Sequence, residues 1–137
     1  MNRFFKQMVQ QTMVAAALCG GVVLAAQAQS VSFVEPADGA TVSSPFKVKF
    51  AVSGMEVKPA GDMSANTGHH HLLINADPVK AGESVPADEH HLHFGKGQTE
   101  TEVKLAPGDY TLTMQFANGA HQSYGPAMSK TIKVTVK

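Results

Sequence analysis

Past its third residue the chain contains no arginine, and its single cysteine, Cys19, falls inside the apolar stretch near the start. Each scarcity removes a class of function. Arginine forks are the usual grip on phosphate and carboxylate groups, so their absence argues against an enzyme acting on such substrates. One cysteine leaves neither a disulfide framework nor a thiolate metal site. The apolar run Met13–Ala26 is too short to span a bilayer.

That run follows a basic start, Arg3 and Lys6, and ends at the small residues Ala26-Gln27-Ala28. The arrangement predicts a secretory signal over residues 1–28 and a mature protein, 29–137, beginning at Gln29. A lipid anchor on Cys19 is disfavoured, because the residue before such a cysteine is small and here it is Leu18. Residues 1–28 carry two of the 11 basic residues and none of the 11 acidic ones, so the mature part has nine basic against 11 acidic residues, a net charge of about −2. Nucleic acid is therefore excluded as an electrostatic partner. The remaining length suits one domain around one core, placed in the periplasm or secreted, with no transmembrane segment in the mature chain.

Strand patterns fill that length. Phe46, Val48, Phe50 and Val52 alternate with Lys47 and Lys49; Thr99, Thr101, Val103 and Leu105 alternate with Glu100, Glu102 and Lys104. Tyr110, Leu112, Met114 and Phe116 share a face opposite Thr111, Thr113 and Gln115, and Ile132, Val134 and Val136 close the chain. Apolar residues two apart mark half-buried strands. Ser30–Val34, His69–Asn75 and Glu89–Phe94 read as further strands, with Pro/Gly-rich turns between and no helical period. About seven short strands predict an all-β, immunoglobulin-like antiparallel β-sandwich with Phe46, Val48, Phe50, Leu112, Met114, Phe116, Ile132 and Val134 in its core. Leu105–Tyr110 (LAPGDY) has the form of a tyrosine corner, with Tyr110 as a plain core aromatic the other reading.

Chemistry concentrates in residues 66–101, which hold six of the seven histidines in two groups: His69, His70, His71 and His90, His91, His93. Imidazole binds transition metals readily near neutral pH. Strand side chains alternate between faces, so Leu72 and Ile74 inward send His69 and His71 outward, with Leu73 blurring the pattern; Leu92 and Phe94 inward send His91 and His93 outward. Antiparallel pairing of the two segments would then gather His69, His71, His91 and His93 at cross-strand spacings of about 4.5–5.5 Å, a set able to hold copper or zinc. His70 and His90 have the opposite parity and are expected at core or rim, held by hydrogen bonds rather than metal. His121 in a later loop and Met63, whose thioether favours Cu(I), are further candidates.

The segments NTGHHHLLI, PADEHHLHFGKGQTET and LAPGDYTL resemble a family of short exported bacterial proteins classed as a domain of unknown function, number 4399, across nearly the whole mature chain. The resemblance implies an exported single domain and no established activity. The opening PADGATVSSPFKVKF is also similar to the first strands of many bacterial immunoglobulin-like domains, including copper-resistance proteins of the periplasm.

Two functions follow: a module that binds or handles copper or zinc in the cell envelope, or an envelope interaction domain, docking on another envelope protein, whose histidines are structural. Catalysis is the less favoured class. A copper/zinc superoxide dismutase needs an arginine to guide its anion, a histidine-brace oxidase needs histidine as first mature residue, and no metalloprotease or Ser/His/Asp pattern is present.

Overall fold

A computed structural model describes residues 28–137. The leader expected over 1–28, apart from its last residue, lies outside the described residues, as does Cys19. Described regular structure consists of nine strands and one 3-10 turn, Pro126–Met128. The strands are β1 (Ser30–Glu35), β2 (Ala40–Val42), β3 (Phe46–Ser53), β4 (Glu56–Val57), β5 (Thr67–Ile74), β6 (His91–His93), β7 (Glu100–Val103), β8 (Gly108–Ala117) and β9 (Ser129–Val136). No helix among them is long and apolar enough to cross a membrane.

A three-stranded sheet, β1-β3-β7, faces a larger one ordered β2-β9-β8-β5, with β4 and β6 both on the far side of β5. The expected β-sandwich is thus the fold. Two parallel pairings exceed the expected seven strands: β2 runs along β9, and β4 pairs with the start of β5. These ladders are two or three residues long and arise where turns deliver the chain to a sheet edge, so no alternation announces them. The chain leaves the small sheet after β1 and crosses to the large one through Pro36–Gly39, where Gly39 takes φ +80°. Left-handed backbone at that turn suits glycine.

Alternation fixes the interior. Phe46, Val48 and Phe50 are buried while Lys47 and Lys49 are exposed, and Ile132, Val134 and Val136 repeat the pattern on β9. With Leu112, Met114 and Phe116 they form one core between the sheets, each large side chain contributing about 1.5–3 kcal/mol by leaving water. Tyr110 closes its corner, its hydroxyl donating to the Ala106 carbonyl at 2.8 Å.

One strand departs from one-sided burial. Every residue of β5 is buried, because the outer face of the large sheet is covered by residues 76–88 and 118–125. Leu73, Val79, Val85 and Ala117 make a second, smaller apolar cluster there. Gln115 on β8, expected to face solvent, is instead fully buried beneath that cover. Its Oε1 accepts from Val79 N (3.1 Å) and its Nε2 donates to the carbonyls of Gly125 (3.1 Å) and Met128 (3.3 Å), so one side chain fastens both covering segments. Ser123 Oγ adds a bond to the Val79 carbonyl, 2.7 Å.

Candidate metal centre

β5 lies between β8 and β6, and the register sets His71 opposite both Gln115 and His93. Antiparallel neighbours place facing side chains on one side of the sheet. His69, His71 and His93 therefore meet on the outer face, beneath the covering segments. His121 reaches the same spot from the turn between β8 and Ser123.

That turn is built for the purpose. Asn118 Oδ1 accepts from the backbone N–H of Ala120 (2.9 Å) and Gln122 (3.0 Å), and His121 N donates to the Asn118 carbonyl (2.9 Å). His121 adopts φ +63°, a left-handed conformation that costs a non-glycine residue roughly 1–2 kcal/mol. The hydrogen bonds hold it there. Gly119 admits no side chain, since a Cβ would stand 2.7 Å from the Asp62 carbonyl carbon.

His69, His71, His93 and His121 each offer a ring nitrogen, and these nitrogens all lie within 4.8 Å of one another. His69 Nε2 is 3.1 Å from His93 Nε2 and 3.1 Å from His121 Nδ1. Ring centroids of His93 and His121 are 4.6 Å apart, those of His69 and His71 4.7 Å. His69 and His71 are buried, His121 is half-buried and His93 is exposed. A buried Nδ1 on each of His69 and His71 has no hydrogen-bond partner.

Three of the four rings are biased toward the neutral form. Burial, reinforced by the neighbouring imidazoles, pushes His69 down to about 4 and His71 to about 3. His93 is lowered as well, by burial and then by His121. Neutral imidazole presents the lone pair that a metal needs. The ring of His93 folds back over Gly95, where a methyl would stand 2.7 Å from His93 Nε2. Only glycine leaves that ring its place.

The remaining candidates lie elsewhere. His91 is opposite Leu73, and its Nδ1 is 2.6 Å from Asp88 Oδ1, which draws the ring away from the group. His90 sits at the rim, its Nδ1–H donating to the Ile74 carbonyl (3.2 Å). His70 points into the core between Phe50 and Phe116, both centroids at 5.1 Å. Contrary to the expected hydrogen bonds, neither His70 nitrogen has a partner, and burial pushes its pKa to about 4, with His69 adding to the shift. Met63 is 61% exposed in the loop before β5. What sequence reasoning passed over is the support: Gly95, the Asn118 turn and Gln115. The Asn118-Gly119 pair is the one local signal for that turn.

Fold and site together define a β-sandwich module with a sheltered histidine cluster. The chain belongs to the family described as Domain of unknown function (DUF4399), whose model matches residues 48–137. No curated protein matches. Among solved structures, the X-ray structure of the endo-beta-1,4-mannanase from Thermotoga petrophila is similar, at 14% identity and a TM-score of 0.49. That likeness covers 80% of this chain and 20% of the mannanase chain.

Proposed function

We propose that this protein is an exported module that binds or handles a transition metal, copper or zinc, in the cell envelope, with His69, His71, His93 and His121 as ligands. The observation that carries the reading is the meeting of His69 Nε2 with two other ring nitrogens at 3.1 Å each. An imidazole nitrogen holds, in the ring plane, either one hydrogen or one lone pair. His69 Nε2 can therefore satisfy one of those neighbours with a linear hydrogen bond and not both. A cation takes all the lone pairs at once. Zinc–imidazole bonds of about 2.0–2.1 Å put tetrahedral ligand nitrogens about 3.3 Å apart, close to the two contacts of 3.1 Å, while the four nitrogens as a set lie within 4.8 Å.

His91 is left out of the proposed set because Asp88 already engages its ring. The strained His121 and the side-chain-free Gly95 support the same reading, since each places an imidazole at a conformational or steric cost. Export rests on the basic start, the short apolar run and Ala26-Gln27-Ala28.

Calorimetric titration of the purified exported protein with Zn(II), Cu(II) and Cu(I) tests the function. One ion per chain is expected, with affinity held through pH 6.5 and lost only as the pH falls toward about 4, where His69 begins to take up a proton. Absence of stoichiometric uptake would leave an interaction domain with structural histidines as the reading to pursue.

A further inference from the structure

The outer face of the cluster opens on a cleft of about 280 Å³. His71, His93 and His121 form its floor, Ser84–Ala87 one wall and Ala120 part of the other. His69 does not line it, and its ring is fully buried. A metal gripped by all four thus has protein behind it and open space in front.

Charge says what belongs in that space. Four neutral imidazoles leave the charge of a divalent ion uncompensated, and no carboxylate belongs to the group. Asp88, the acid beside the second histidine segment, has Oδ1 on His91 Nδ1. Two of the four rings are buried outright, His69 at 0% and His71 at 1% exposure. Unbalanced charge in such surroundings is costly until a counter-charge joins it. The cleft walls hold no lysine or arginine, so nothing but the metal would attract an anion there. Four imidazoles already make a tetrahedral set, so an open position here is a fifth one, which tetragonal Cu(II) accepts and zinc-type ions reach by expanding to five-coordinate.

We infer that a divalent metal in this site has a fifth, exchangeable position facing the cleft, and that the position takes a small inorganic anion. The inference rests on the metal reading above. The exported protein is first titrated with Cu(II), and with Co(II) as a visible stand-in for zinc, and the loaded form is then titrated with azide. A saturable one-to-one spectral change is expected, absent from the metal-free protein. Ala87→Leu and Ser84→Leu, both at exposed positions lining the cleft, narrow it without changing a proposed ligand or the turn that holds His121. Each should leave metal uptake unchanged and weaken azide by about tenfold, the equivalent of about 1.4 kcal/mol. Metal uptake with no response to azide, or leucine variants that bind azide as well as the parent does, overturns the open position while the metal reading stands. If neither ion is taken up, the metal reading falls and this one with it.

Discussion

His69 and His70 are adjacent in sequence and equally hidden, both at 0% exposure, yet they sit in opposite environments because β5 is covered on both faces. On the inner face the ring of His70 meets the flanks of Phe50 and Phe116. On the outer face His69 Nε2 meets ring nitrogens of His93 and His121. The inner ring is a buried polar group without compensation, which weakens the fold. The outer ring meets other ring nitrogens whose lone pairs a single cation would take together. Burial of a histidine therefore says little until its nitrogens are followed to what they touch.

The strongest way to break this comparison is to remove rings from each group in turn. His69→Ala should cost at least a hundredfold in metal affinity, more than the roughly 10–100-fold typical of losing a mere support to a ligand. His91→Ala should leave affinity nearly intact. Equal losses from the two variants, read by calorimetry, would mean that the metal is held elsewhere.

Acid should act on both faces of β5 at once. In the unfolded chain histidines titrate near 6.5, whereas in the fold His69 and His70 lie at about 4 and His71 at about 3. Between those values the unfolded chain binds more protons than the folded one. The stability associated with the neutral rings is thus complete above pH 6.5 and is lost as pH falls from there toward 4. Urea unfolding of the metal-free protein between pH 7 and about 4.5 should show uptake of more than one proton per molecule. A midpoint indifferent to pH over that window would contradict the neutral cluster.

A smaller effect is expected from Gly95→Ala. The added methyl needs the space of the His93 ring, so metal affinity should drop by about tenfold, with an altered Cu(II) or Co(II) spectrum and an unchanged circular dichroism spectrum. An unaltered metal spectrum would show that His93 does not depend on that space. The mildest change is His70→Leu, which exchanges an unpartnered imidazole for an apolar side chain of similar size. Stability should rise by about 1 kcal/mol, a few degrees in Tm for a domain of this length, while metal affinity stays the same. A loss of stability would reveal a partner for the His70 nitrogens.

Much of this was open to reading from the sequence. β3, β8 and β9 have one apolar face each, so Phe46, Val48, Leu112, Phe116 and Ile132 announce the core, and the parity of His71 and His93 announces that they share a face. Three things were closed to it. The position of His121 depends on local Asn118 hydrogen bonds and on Gly119 packing against Asp62, the latter a contact between segments far apart in the chain. The direction of the His91 ring depends on Asp88, a competition that parity does not see. Burial of Thr113 and Gln115 was hidden for a related reason: alternation assigns a face, and only tertiary contacts decide whether a loop covers it. The one local hint is the unbroken run HHHLLI, since strands buried on both sides lose alternation.

The spread of the four histidines along the chain has a consequence for mechanical integrity. His69 and His93 are 24 residues apart, His69 and His121 52. An ion held by them would tie β5, β6 and the Asn118 turn into two closed loops, restricting the unfolded chain as a pair of covalent cross-links would. The only cysteine lies in the segment expected to be cleaved, so such a staple would form without any oxidation step, unlike a disulfide, and would yield to chelators and acid.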